Sequence, residues 1–174
     1  MTALGAATAS STDEIAAGLE KFAAVSNTVG LSYEYATSAL ATVTATTRQS
    51  ADVVGTAFKT LFARIQDLEL GKTLEDGTTL GKYSQALETV GVSIKTADGG
   101  LREMDDILSD LGEKWNSFDA EGNPLISKDA KVALAQTVAG VRQYTQLIAL
   151  MDNWDFMKEN LETARNATGT LNEQ

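Results

Sequence analysis

The chain has 174 residues, 14 basic and 24 acidic side chains, a net charge of −10, and neither cysteine nor histidine. The missing cysteine and histidine exclude disulfides, thiol nucleophiles, imidazole bases and nearly every zinc or haem site. The acidic balance argues against direct, sequence-independent binding of nucleic acid, which needs clustered Lys and Arg. A chain of this length is most simply one domain, and its single proline and 14 glycines favour helices joined by glycine turns.

The first third of the sequence predicts three helices. Residues 1–11 are small and weakly patterned, and we expect a loosely ordered N-terminus there. Ser11 and Glu14 form a capping box for a first helix, which Gly30 ends. A second helix is predicted over residues 32–47, where many Thr and Ser side chains disfavour helix, so packing must stabilise it. Ser50 is a good N-cap for a third helix, which has a regular apolar stripe and stops before Gly71.

The middle of the sequence contains turn signals and one alternating segment. Residues 71–81 have no period and predict a loop or a short hairpin. A short helix is expected over residues 82–90, closed by Gly91. Alternation at Val92, Ile94 and Thr96, followed by Asp98-Gly99-Gly100, then predicts a small two-stranded ribbon.

The last part of the sequence predicts further helices around a glycine. One amphipathic helix carries an apolar face that runs from Met104 to Phe118, and a turn over residues 119–127 follows it. Ser127 caps the next helix, within which the apolar run 132–154 begins. Gly140 either sits inside one long helix or marks a corner between two, and we favour the corner. A final helix is expected over residues 153–167, ending at Gly169.

These elements together predict a mainly α fold, a compact bundle of about six or seven helices with one small β-hairpin near residues 92–102. The predicted organisation is a single helical domain over residues 12–169 and a tail of residues 170–174. No segment repeats at a fixed period, and no heptad pattern continues long enough for an extended coiled coil.

Motifs for cofactors and catalysis fail on inspection. Gly71-Lys72-Thr73 lacks the glycine that a phosphate-binding loop needs five residues earlier, because Gln66 stands there. The acidic turn 119–123 has its glycine at the wrong position for a calcium loop. Three carboxylates, Asp105, Asp106 and Asp110, fall on the polar side of an amphipathic helix, where they are expected to be solvated. We therefore predict no catalytic residue, cofactor or metal, and no enzyme.

The remaining distinctive side chains are interpreted as structural. Trp154, like Trp115, is expected in the core. Arg48, Lys59 and Arg64 are expected to pair with the protein's own carboxylates. Arg142 is expected to reach carboxylates or helix-end carbonyls across the Gly140 corner.

Several motifs resemble the core region of the tail tape-measure proteins of long-tailed phages and prophages, in the family's order. They are Thr47-Arg48-Gln49-Ser50, the segment from Val54 through Lys59 to Arg64, Asp98-Gly99-Gly100-Leu101-Arg102, Asp105-Asp106-Ile107-Leu108, Lys114-Trp115, and Ala139-Gly140-Val141-Arg142-Gln143 with the run from Ile148 to Trp154. The resemblance covers residue 12 to the C-terminus.

The resemblance implies a virion structural protein of the phage tail, present in the host cytoplasm during assembly. Such proteins lie inside the tail tube, set its length, and leave during DNA ejection. It implies contacts with tube, tail-tip or assembly-chaperone proteins, and self-association stays open. The family-motif positions, whose structural or partner-contact role is open, are Arg48, Gln49, Lys59, Arg64, Gly140, Arg142, Gln143 and Trp154.

There are two alternatives to this function. The stretch 132–151 could insert into the bacterial envelope as amphipathic helices during ejection, although its polar face is poor in Lys and Arg. A cell-wall hydrolase is disfavoured, because no carboxylate stands in an apolar, pocket-like setting.

Overall fold

The structure, a computed structural model, describes the backbone of residues 11–173 and the side chains of residues 11–167. The expected loose order of residues 1–11 falls almost wholly outside this part. The fold is mainly helical and compact, as predicted, and the described residues form eight helices instead of six or seven. They are α1 (Thr12–Val29), α2 (Tyr33–Thr47), α3 (Ala51–Glu69), α4 (Leu80–Glu88), α5 (Met104–Trp115), α6 (Lys128–Ala139), α7 (Tyr144–Asp152) and α8 (Trp154–Glu173).

Serine caps begin four of the helices where the sequence indicates a start. In each, the serine Oγ accepts a hydrogen bond of 3.1–3.2 Å from a backbone N–H three residues on. The serines are Ser11, Ser32, Ser50 and Ser127. Helix α1 ends at Gly30, whose φ of 85° is accessible to glycine at little cost. These caps account for the accuracy of the predicted boundaries.

Helix α2 runs through the centre of the bundle and is buried on all sides from Tyr35 to Thr44. Most of its hydroxyl groups donate back to carbonyls of the same helix, as Thr37 does to Tyr33 at 2.8 Å and Ser38 does to Glu34 at 2.7 Å. Because each of these buried hydroxyl groups has a hydrogen-bond partner, its burial does not incur the free-energy cost of an unpaired polar group. The Thr- and Ser-rich helix is therefore stabilised by packing, as expected.

Helices α1 and α3 cross at two glycines. A Cβ atom on Gly18 would lie 2.5 Å from the Ala51 carbonyl oxygen, and one on Gly55 would overlap the backbone of Gly18. The missing side chains thus allow the two backbones to touch. This contact fixes α3, which carries much of the candidate site.

The predicted β-hairpin near residues 92–102 is wrong. Only one isolated bridge forms there, between Lys95 and Leu101. The turn itself closes, since the Thr96 N–H donates to the Gly100 carbonyl at 2.7 Å. The second arm stops because Glu103 is already the N-cap of α5, and Val92 and Ile94 of the first arm are buried in the helical core.

Three smaller expectations also need correction. Helix α4 starts at Leu80, two residues early, because Thr79 caps it through the Lys82 N–H. Helix α8 continues past Gly169 to Glu173. Phe118 is 65% exposed and does not belong to the core face of α5, because that helix ends at Trp115. Among the described residues, no helix combines the length and apolarity that crossing a membrane requires.

Candidate interaction groove at the Gly140 corner

Gly140 forms a sharp corner between α6 and α7, as predicted from the sequence. Its φ of 88° and ψ of 160° lie where side-chain-bearing residues are strained. The Gly140 N–H still donates to the Gln136 carbonyl at 2.9 Å, and its own carbonyl accepts from the Gln143 N–H at 3.3 Å. The chain therefore reverses within four residues, and α6 and α7 pack as an antiparallel pair.

Arg64 joins three elements beside this corner. From α3, its guanidinium donates to the Thr137 carbonyl at the end of α6 and to the Thr78 hydroxyl, both at 3.0 Å. It also pairs with the Asp76 carboxylate at 2.9 Å. The Thr78 N–H and hydroxyl, and then Arg64, hold the pKa of Asp76 below its ordinary value. Pairing of Arg64 with a carboxylate of its own chain is thus confirmed.

An open groove of 750 Å³ lies between α3 and the corner. We call it the Gly140 groove; it is lined by residues of α3 from Thr56 to Asp67, by Leu74, Glu75 and Asp76, and by residues 140–143. Five of the family-motif positions meet in it, although they come from two separate parts of the sequence. They are Lys59, Arg64, Gly140, Arg142 and Gln143.

Two basic residues of the groove have no polar partner in the described part of the chain. Lys59 and Arg142 are exposed and form no ion pair or hydrogen bond through their side chains, so the expected pairing of both is wrong. The contact expected of Arg142, with helix-end carbonyls across the corner, is made by Arg64. Lys59 and Arg142 are therefore available to a partner.

The Arg48-Gln49 motif lies elsewhere, at the turn between α2 and α3. Arg48 has a φ of 61°, which is uncommon outside glycine, and its side chain lines a separate cleft of 690 Å³. The Gln49 side-chain oxygen accepts a hydrogen bond of 3.1 Å from the Gln146 amide of α7. Gln49 thus has a structural contact, whereas the side chain of Arg48 pairs with no described carboxylate.

Trp154 is a core residue, as predicted. It is 3% exposed, and its ring packs on Gly112 of α5, where any side chain would overlap it. Its indole N–H donates to the Glu113 carboxylate at 3.1 Å, while the Trp115 indole donates to Asp152 at 2.7 Å. These two bonds connect α5 with α7 and α8.

Two of the three carboxylates of α5, Asp105 and Asp110, are less solvated than expected, whereas Asp106 is exposed as expected. Asp105 is half-buried and accepts the Ser32 N–H at 3.1 Å; burial raises its pKa despite that bond. Asp110 pairs with Arg102 at 3.2 Å and Lys114 at 3.1 Å. No cluster of three or more potential metal ligands occurs among the described residues. Asp105 thus ties the start of α5 to the N-cap of α2, whereas Asp110 pairs within α5 and with the segment before it.

Sequence reasoning missed one exposed feature, which we call the 117–125 turn. An isolated bridge joins Phe118 and Pro124, and the Leu125 N–H donates to Ser117 at 2.9 Å. The Asp119 carboxylate accepts from Glu121 at 3.0 Å and from Asn123 at 2.8 Å, which holds its pKa below the ordinary value. The turn is well defined, and it leaves Phe118 65% and Leu125 56% exposed. The sequence predicts a turn here, but it does not indicate that Phe118 and Leu125 are exposed.

The described residues thus form a helical bundle that presents an open groove beside the Gly140 corner. A family model described as phage-related minor tail protein matches residues 1–140, and the chain belongs to that family. It is thus a structural phage tail protein, one that resides among other proteins of the virion tail. The match ends at the corner, so Arg142, Gln143 and Trp154 lie beyond it. No solved structure is significantly similar to the chain.

Proposed function

We propose that this chain is a module of a tail tape-measure protein, which helps set tail length and tail assembly. One observation carries the proposal beyond family membership: the two stretches that most resemble tape-measure proteins are in contact. Arg64 of the first stretch donates to the Thr137 carbonyl, two residues before the second stretch begins. The Gln49 side-chain oxygen, also in the first stretch, accepts from Gln146, which lies between the two parts of the second. Two motif stretches that are far apart in the sequence but pack together in the fold support the resemblance more strongly than either stretch alone.

The folded chain is not an extended ruler. A continuous helix of all 174 residues would span about 260 Å, at about 1.5 Å per residue. Corners such as Gly30 and Gly140, both with positive φ, turn the chain back on itself. We infer a folded module that either anchors the tape measure at one end of the tail or unfolds into the tube. Its net negative charge suits a tube through which DNA passes without being retained.

Deletion in a phage tests the proposal and separates these two roles. Residues 12–169 would be removed in frame from the gene that encodes the chain, and tails would be measured by electron microscopy. If the module is extended in the tube, tails shorten by up to about 240 Å. If it anchors the tape measure, the number of tails falls and their length is unchanged.

Normal tails in normal number from the deleted phage would contradict the proposal. Cross-linking in assembling tails would identify whether this segment contacts the tube, the tail tip or an assembly chaperone in the host cytoplasm. Leakage of liposomes on addition of the purified chain would instead support the envelope-inserting alternative.

A further inference from the structure

We propose that copies of this chain associate head to tail, with the 117–125 turn of one copy seated in the Gly140 groove of the next. The proposal goes beyond a tape-measure role, and it rests on two exposed surfaces that complement each other in charge and in exposed apolar area. Within the described part of one copy, no contact joins these two surfaces.

The Gly140 groove offers positive charge beside an apolar surface. Lys59 and Arg142 are unpaired in it, and Val141 is 69% exposed. Three carboxylates line the groove. Asp76 forms an ion pair with Arg64, and Asp67 forms one with Lys72 at 3.2 Å, so Glu75 is the carboxylate without an ion pair to a described residue. The two free cations thus outnumber the one free carboxylate, in a protein with a net charge of −10.

The 117–125 turn offers the opposite combination. Phe118 and Leu125 project apolar surface, and aromatic side chains of this kind are favoured anchors in protein interfaces. Glu121 is exposed at the tip between them. The bonds to the Asp119 carboxylate hold the turn in shape, so little conformational entropy is lost on binding. The apolar residues of the turn match the exposed apolar surface of the groove, and its acidic residues match the groove's unpaired cations.

The two surfaces lie at opposite ends of the antiparallel pair α6–α7. The groove is at its closed end, beside Gly140. The turn is at its open end, because it directly precedes α6 and its base is held to the end of α7 by a 3.1 Å bond from Asn116 to the Met151 carbonyl. Twelve helical residues separate the ends by about 18 Å. A surface that pairs with a different surface of the next copy gives a ring or an open chain of copies.

Sedimentation velocity of the 174-residue chain over a range of concentrations tests this association. A single turn in a groove is a small interface, so we expect self-association at about 10–100 µM, weaker at high salt. The groove variant, Lys59→Glu with Arg142→Glu, should associate at least about tenfold more weakly, and so should the turn variant, Phe118→Ser with Leu125→Ser.

Mixing the two variants gives the sharpest readout. Each pair still has one intact groove and one intact turn, so an equimolar mixture should form dimers and no larger species. A matched control, Arg48→Glu with Lys95→Glu, reverses two exposed charges outside the groove and should associate like the unaltered chain. Circular dichroism would establish that each variant is folded.

Three results would overturn the proposal. The first is a chain that stays monomeric throughout the concentration range, which would assign the groove to a different protein. The second is a mixture of groove and turn variants that stays monomeric although the unaltered chain associates. The third is a control variant weakened as much as the groove variant, because association would then depend on overall charge.

Discussion

Glu69 is a half-buried carboxyl group at the end of α3, and burial together with the nearby Glu103 raises its pKa to about 7. Its ordinary value is 4.5. Between these values the folded chain binds more protons at this site than the unfolded chain does. The contribution of Glu69 to the free energy of unfolding therefore falls as pH rises from 4.5 to about 7.

Glu69→Gln should consequently stabilise the protein at about pH 8 and have little effect at about pH 5. We expect a gain of about 1 kcal/mol at the higher pH, a figure reduced for the solvent that screens a half-exposed group. Urea unfolding at both pH values measures it. Glu20→Gln, on an exposed position of α1, is the matched control and should change neither. An equal effect of Glu69→Gln at both pH values would contradict the assignment.

The basic residues illustrate that a sequence does not show which side chain makes a given tertiary contact. The sequence predicts that Arg142 ties the Gly140 corner to its surroundings, and this prediction is wrong, because the Arg142 side chain is exposed and Arg64 makes the contact. Arg64 makes the contact because α3 passes beside the end of α6, and the crossing of two distant helices is not encoded in local spacing. Which cation is left unpaired depends on the same packing.

The crossing of α1 and α3 depends on glycine in both helices. Alanine at Gly55 would place its Cβ against the backbone of Gly18, which cannot move aside as a flexible side chain would. The higher helix propensity of alanine, worth about 1 kcal/mol, does not offset the separation of two packed helices.

Gly55→Ala should therefore lower the free energy of unfolding by about 2 kcal/mol or more, as measured by chemical denaturation. Gly81→Ala in α4 is the control, because a Cβ there meets only the Thr79 hydroxyl at 3.8 Å. It should leave stability unchanged or raise it by up to about 1 kcal/mol. If the two substitutions had the same effect, close packing at Gly55 would not be the cause.

Helices were predictable from the sequence wherever a cap and an apolar stripe occur together, as at Ser11, Ser50 and Ser127. The β-hairpin was not, because alternation at Val92 and Ile94 reflects two residues buried in a helical core instead of one face of a sheet. Over so few residues, periodicity cannot distinguish these cases. Local sequence signals therefore predicted most helices correctly. The prediction was wrong where tertiary contacts determine the local structure, as at Val92 and Ile94.

Buried residues from all eight helices belong to one hydrophobic cluster. A single core of this kind predicts that residues 12–169 form one domain and unfold in one cooperative transition. Far-ultraviolet circular dichroism reports on all the helices, whereas fluorescence reports on Trp115 and Trp154, which are both buried. The two thermal unfolding curves should coincide. Separate midpoints would divide the chain into independent units.

The groove itself could not be predicted, although five of the residues that line it were among those singled out from the sequence. Lys59 and Arg142 are 83 positions apart. Their proximity results from the packing of α3 beside the α6–α7 corner, which a single sequence does not specify. The sequence could indicate which residues are distinctive, and the fold was needed to show which of them share a surface.

Most buried hydroxyl groups of helix α2 form hydrogen bonds to carbonyls of the same helix. These bonds affect which residues can replace those packed around it. Its side-chain hydrogen bonds to other helices include those of Tyr35 with Ser109 and of Asn160 with Thr42, both at 3.0 Å. Around hydroxyl groups that bond within the helix, such as those of Thr37 and Ser38, neighbouring residues need to supply shape but no donor or acceptor. Apolar positions that face α2 should therefore accept one another's residue types during evolution, provided their volume is kept. Natural variants of this chain are expected to diverge around α2 while keeping its small hydroxyl-bearing residues.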